Sequence, residues 1–276
     1  MNDTPDSLGL IAGRGSYPLE LARSAKRAGV ARVAAFAFKG ETDASIERLA
    51  DETHWLNLGR LGRLLSAVAR SGVRHVILAG QIKPTHLFHL RMDKPMLRLL
   101  AGLKRRNAKT IFGALCRELE AVGVELLPAW RFMEHAMPAP GRLSAREPSA
   151  QEQADIELGL RIANATTGLQ IGQTVVVKEG TVLAVEAFEG TNDAIRRAGR
   201  LGGPGAVVVK MAGPAQDMRF DLPVVGPDTL KLLRKIKASV LAVEAKRTIL
   251  LECERLVAAA DRMGLSLVAV EGGSEI

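Results

Sequence analysis

Short apolar runs, each ending in a glycine-bearing loop, alternate with segments of helical period across the first half of the chain. Residues 8–12 (LGLIA) open the pattern. The loop Gly13-Arg14-Gly15-Ser16-Tyr17-Pro18 follows, then a helical stretch that stops at Gly29. Pro18 suits a first helical turn and Gly29 a C-terminal cap. Residues 30–38 (VARVAAFAF) form the second run. Runs that are apolar throughout, rather than alternating with polar residues, belong in a parallel sheet buried on both faces.

The pattern continues. Residues 46–50 read as helix, 53–58 as strand, 60–71 as an amphipathic helix closed by Gly72, and 73–79 as strand. Residues 110–122 read as helix and 124–128 as strand. Periodicity then fails over 131–146, which carries Pro138, Pro140 and Gly141 and marks a domain boundary. Beyond it, Ser149 and Glu152 form a capping box for a helix over 149–167. Glu179-Gly180 joins two strands as a hairpin. Further strands fall at 206–210, 222–225, 240–243 and 267–270, with helices at 192–200, 226–237 and 252–263. The expected fold is α/β: an N-terminal Rossmann-like parallel-sheet domain (1–134), a linker (135–148) and a C-terminal mixed α+β domain (149–276), with a ligand cleft between the domains.

Aromatic residues make up only 4% of the chain, so the core is built from Ala, Val, Leu and Ile. The net charge of +8 suits an anionic partner, or a solvated basic surface. Cys116 and Cys253 read as small buried hydrophobes in a reducing compartment. The acidic, polar N-terminus has no signal-peptide pattern. No apolar run approaches the ~20 residues that span a bilayer. A cytoplasmic, soluble protein is expected.

The first loop is not a dinucleotide fingerprint. Pro18 stands where the third glycine is needed, and the second strand runs into Phe38-Lys39-Gly40 without an acid for a ribose. NAD is disfavoured. Two glycines and a helix N-terminus still suit a phosphate. Ligands of open α/β sheets bind beyond the carboxyl ends of the strands, so Gly80, Gln81 and Lys83 should share that crevice. The pair His86/His89 reads as structural. Residues 92–103 read as a core helix with a solvated basic face; the alternative is a basic surface laid against an anionic membrane. In the second half, residues 185–229 gather Glu186, Glu189, Asp193, Asp217, Asp221 and Asp228 near element ends. Asp217 and Asp221, four apart, can converge on one hard cation. Lys178, Lys210 and Arg219 can neutralise phosphate. Thr191 and Asp228 fit helix caps. Serine-hydrolase elbow, Walker loop, C-x-x-C and H-E-x-x-H motifs are absent.

Three motifs, at residues 13–18, 189–199 and 210–229, resemble the UDP-2,3-diacylglucosamine pyrophosphatases of the LpxI type, and the resemblance runs nearly end to end. It implies hydrolysis of UDP-2,3-diacylglucosamine to UMP and 2,3-diacylglucosamine 1-phosphate in lipid A biosynthesis, with attack at the phosphorus nearer the sugar. A divalent cation, Mg²⁺ or Mn²⁺, is implied, as is peripheral contact with the cytoplasmic face of the inner membrane. The expected partner is a lipid-linked sugar nucleotide, not nucleic acid; a homodimer is allowed. On this reading Asp221 and Asp217 hold the metal or orient water, with Lys210 as the third catalytic residue. Arg219 neutralises phosphate, while Glu189, Gly190, Thr191 and Asp193 hold sugar or phosphate. Gly13, Arg14, Gly15, Ser16, Tyr17, Gln81 and Lys83 take the nucleotide side. The rival readings are a different sugar-nucleotide transferase and a non-catalytic nucleotide-binding module.

Overall fold

The computed structural model describes residues 4–82, 91–105, 107–213 and 216–272. The fold is α/β, and the chain divides into two compact units. The first comprises Met1–Met133 with Asp217–Asp221, the second Glu134–Gln216 with Leu222–Ile276.

The first unit is built on a five-stranded, wholly parallel sheet of order β3-β2-β1-β4-β5. Its strands are β1 (Ser7–Ala12), β2 (Arg32–Phe38), β3 (Glu52–Leu56), β4 (His75–Ala79) and β5 (Glu125–Leu126). Its helices are α1 (Tyr17–Arg27), α2 (Leu61–Ser71), α3 (Lys94–Ala101) and α4 (Ala108–Ala121). β1 and β2 are buried at every position except the first, as parallel strands covered on both faces must be. Ile11, Phe36, Val76 and Leu78 pack with Leu64 and Val68 of α2 and with Cys116 and Leu119 of α4. α1 buries Leu21, Ala22 and Ala25 and packs on β1, β2 and β4. Gly72, at φ 70°, ends α2 in the left-handed conformation that its missing Cβ permits. Where a helix was expected over residues 46–50, the chain forms a short 3-10 stretch (Ala44–Arg48) capped by Asp43. A helical stretch of only five residues is too short to sustain an α-helix by itself.

The second unit centres on a six-stranded sheet of order β6-β13-β11-β9-β7-β8. β9 (Val207–Lys210), β11 (Val240–Glu244) and β13 (Ser266–Val270) run parallel. β7 (Thr174–Lys178), β8 (Thr181–Val185) and β6 (Gly141–Arg142) are antiparallel additions. A separate pair joins β10 (Val224–Val225) to β12 (Ile249–Leu250). The helices are α5 (Ala150–Gly168), α6 (Thr191–Gly202), α7 (Pro227–Ile236) and α8 (Cys253–Met263). Along β9 the faces alternate: Val207 and Val209 pack with Ile156 and Ala163 of α5, whereas Val208 packs with α6, α7 and α8. The expected capping box of α5 is present, and Glu179 and Gly180 take positive φ in the hairpin between β7 and β8. Asp155, buried in α5, accepts from both of their amides at 2.8 and 2.7 Å. Two expected caps are not made. Gly190 and Gly226 occupy the N-cap positions of α6 and α7, so Thr191 and Asp228 fall inside their helices.

α5 lies so close to the sheet that a Cβ on Gly159 would come within 2.5 Å of Val209 Cγ2. Val209 is fully buried in a central strand and has no room to move. Gly159→Val should therefore destabilise the protein by about 1–3 kcal/mol, read as a lower urea-unfolding midpoint. An unchanged midpoint would contradict this packing.

Candidate active site

In the first unit the strand order changes direction between β1 and β4, and the loops after these two strands meet there. Arg14 and Gln81 form an isolated antiparallel bridge, with Arg14 N donating to Gln81 O at 2.8 Å and Gln81 N to Arg14 O at 3.1 Å. Gly13 N donates to Ala79 O at 2.8 Å. Neither glycine at this crossing tolerates a side chain: a Cβ on Gly13 would lie 2.7 Å from Gln81 O, and one on Gly80 2.8 Å from Arg14 O. Gly15 and Ser16 lead into α1, whose N-cap Ser16 makes no side-chain cap and whose first turn contains Pro18. The amides of that turn and the positive end of the helix dipole suit an anion. Arg14 Nε donates to Glu41 at 3.2 Å. Glu41 is buried just past β2. The sequence reading missed this acid because it comes after the Lys39-Gly40 turn. Tyr17 is also buried, and its hydroxyl donates to the carbonyl of Ala129; burial pushes its phenol well above the ordinary tyrosine range.

Asp217–Asp221 clusters with this same unit, although it follows β9 in sequence. The anchors are backbone, aromatic and ionic. Ala129 N donates to Met218 O at 2.8 Å. Phe220 stacks on Phe112 of α4, centroids 5.7 Å apart. Arg219 Nη1 donates to Glu120 at 2.8 Å, while its Nε and Nη2 fork onto Asp217 at 3.0 and 2.8 Å. Asp217 also accepts from the Arg219 amide at 3.1 Å, and its carbonyl accepts from Asp221 N at 2.9 Å. The segment is thus a tight turn, closed around one guanidinium, that presents Asp221 in a half-buried position. Hydrogen bonding from Arg219 holds the Asp217 carboxyl below the usual carboxylate range. Cys116 lies nearby, and burial pushes its thiol up to about 11, which leaves it protonated and inert at neutral pH.

In the second unit the chemistry gathers at the carboxyl end of β9. Lys210 is only 5% exposed, yet its Nζ donates to Thr191 Oγ1 at 3.0 Å. The Thr191 hydroxyl lies 3.0 Å from both oxygens of Glu186 and 3.3 Å from Thr174 Oγ1. Thr191 therefore joins a buried ammonium to a carboxylate instead of capping α6. Glu189 pairs with Arg197 at 2.6 Å, and Asp193 pairs with Arg196 on the exposed side of the helix. One strand over, Glu244 ends β11 and is buried; it accepts from Ala212 N at 2.7 Å and Arg247 Nη1 at 3.2 Å. Burial pushes its carboxyl above the usual range, opposed by Arg247 and the Ala212 amide. Glu244 and Thr174 were not singled out in the sequence. The available signal was a polar residue bounding an apolar strand.

The candidates thus fall into sets. Gly13, Arg14, Gly15, Ser16, Tyr17 and Gln81 stand in the first unit, as do Asp217, Arg219 and Asp221. Lys210, Glu189, Gly190, Thr191 and Asp193 stand in the second. Lys83, His86 and His89 lie outside the described residues. Lys178 donates to the Gly202 carbonyl at 2.8 Å, closing the C-terminus of α6. Among the described residues no group of three or more His, Cys, Asp or Glu side chains is arranged to hold a metal ion. Asp217 does not fit a ligand role in this arrangement, since both of its oxygens are engaged by Arg219. Asp221, half-exposed, does fit as one carboxylate of an ion shared with phosphate oxygens.

Residues 7–136 match the family model of the LpxI N-terminal domain, and residues 139–268 that of the LpxI C-terminal domain. The chain is 32% identical over 275 residues to the UDP-2,3-diacylglucosamine pyrophosphatase LpxI of Caulobacter vibrioides, covering 96% of this chain and 97% of that protein.

Because the Asp217 carboxyl is lowered in the fold, it contributes stability above its unfolded value of about 3.9 and loses it as pH falls through the folded value. Asp217→Asn should lower the thermal midpoint at pH 7, and the gap from wild type should close below about pH 4. An equal deficit at both pH values would show that the charge is not what holds the turn.

Proposed function

This chain belongs to the LpxI family, and on that footing we propose that it hydrolyses UDP-2,3-diacylglucosamine to UMP and 2,3-diacylglucosamine 1-phosphate in the lipid A pathway. The observation that carries the reading is the end-to-end relation to a UDP-2,3-diacylglucosamine pyrophosphatase. The chemistry at the strand ends supports it. A pyrophosphate diester is anionic, and its hydrolysis adds charge in the transition state, so binding needs preorganised donors and cations. The Gly13, Arg14, Gly15 and Ser16 loop, with Gln81, supplies amides and a guanidinium for the nucleotide. Lys210, held by Thr191, supplies a fixed positive charge to a phosphoryl oxygen. Glu189, Gly190 and Asp193 at the start of α6 take the sugar side.

In the proposed step, Asp221 accepts a hydrogen bond from a water and later its proton. The water oxygen bonds to one phosphorus. The bridging oxygen leaves with its bonding pair and remains on the other phosphate. Arg219 acts on Asp221 indirectly, by closing the turn through Asp217 and Glu120. A divalent cation, Mg²⁺ or Mn²⁺, belongs to the proposal; Asp221 would hold it with phosphate oxygens, and it would supply further neutralisation of the transferring charge. No helix among the described residues is long and apolar enough to cross a membrane. With a two-chain product, the protein works peripherally, at the cytoplasmic face of the inner membrane.

The test is turnover of UDP-2,3-diacylglucosamine in ¹⁸O-water, with and without chelator. Wild type should release UMP and carry the label in the sugar 1-phosphate. Chelator should abolish turnover, and Mg²⁺ or Mn²⁺ should restore it. Asp221→Ala should lose about 10²-fold or more in kcat while keeping its thermal midpoint. A folded Asp221→Ala enzyme with near wild-type turnover would remove Asp221 from the chemistry, and a demand for an acceptor other than water would make the protein a transferase.

A further inference from the structure

α3 has two faces of different character. Leu99 is buried and packs with Met96, Leu100 and Leu103 against Leu61 and Leu65 of α2 and Ala114 and Leu115 of α4. The opposite face carries Lys94, Leu97, Arg98 and Ala101, all exposed. These positions follow the i, i+3, i+4, i+7 spacing that places residues on one helical stripe. Leu97, at the centre of the helix, is 54% exposed. Arg91 just before the helix and Lys104 and Arg105 just after it are exposed too. Residues 91–105 thus hold five cations and a single acid, Asp93. That acid is turned into the fold: its oxygens accept from the amides of Gly62 and Met96 at 2.9 and 3.0 Å. The outward face is therefore uniformly positive around one projecting leucine.

We infer that the outer face of α3 and its flanks docks on an anionic lipid bilayer, with the cations against lipid phosphates and Leu97 entering the headgroup boundary. A stripe of lysine and arginine beside an apolar residue, parallel to the surface, is what interfacial attachment requires. The same face is a poor nucleic-acid platform, since residues 91–105 hold no aromatic side chain on which a base could stack. The choice of lipid over another polyanion rests on the proposed two-chain substrate, whereas the position of the surface rests on α3 alone.

The experiment is co-sedimentation of the full chain with vesicles of phosphatidylethanolamine and phosphatidylglycerol, against pure phosphatidylcholine vesicles and a short single-stranded RNA. Wild type should bind the anionic vesicles, release as salt rises, and leave phosphatidylcholine unbound. The double variant Lys94→Glu/Arg98→Glu should bind at least about tenfold more weakly, and Leu97→Gln should weaken binding in a way that persists at high salt. Both should keep the wild-type thermal midpoint and wild-type turnover of substrate in detergent micelles. Loss of micellar turnover in wild type would instead count against the proposed function, independently of vesicle binding. Failure of wild type to bind anionic vesicles, undiminished binding by the double variant, or tighter binding to RNA would overturn the inference.

Discussion

A parallel strand covered on both faces has nowhere to put a polar group except at its ends. β1, β2 and β4 in the first unit and β9, β11 and β13 in the second are close to continuously buried. The candidate charged groups accordingly stand at the strand ends or in the segments that follow them. Arg14 and Gln81 meet after β1 and β4, and Lys210 and Glu244 are the last residues of β9 and β11. The placement of the candidate site follows from hydrophobic burial before any ligand is considered.

These ends are also partly out of water, so each charge needs a partner. Glu41 takes Arg14, Glu244 takes Arg247, and Lys210 reaches Glu186 through the Thr191 hydroxyl. Such pairs contribute little net stability, because desolvation offsets much of the attraction, yet removing one member strands the other. Their evident effect here is geometric. Glu244 accepts from the Ala212 amide at 2.7 Å and Arg247 donates to the Gly213 carbonyl at 2.9 Å, which together hold the segment leaving β9. Asp217, Arg219 and Glu120 do the same for the turn that bears Asp221.

Much of the fold was legible because its causes are local. Apolar runs announced the parallel strands, Ser149 and Glu152 announced α5, and Glu179-Gly180 announced a hairpin, since burial, capping and turn chemistry act within a few residues. Two of the shortest elements were not legible. β6 and β12 have two residues each, and such strands exist only because a distant strand offers hydrogen bonds. Thr191 shows the same limit at the site. Its position just after a glycine loop suggested a cap, but the buried Lys210 and Glu186 draw its hydroxyl elsewhere.

By itself, then, the sequence determined the α/β alternation, the strand-end loops and the concentration of carboxylates and cations at residues 185–229. It also carried the likeness to the LpxI family, to which the chain belongs. Only the tertiary structure decided which of those charges meet. It placed Asp217–Asp221 with the first unit, through Met218 on Ala129, Phe220 on Phe112 and Arg219 on Glu120. Those contacts join residues about a hundred positions apart. Periodicity and capping cannot encode them, because their energy comes from packing and pairing that exist only once the chain has closed on itself.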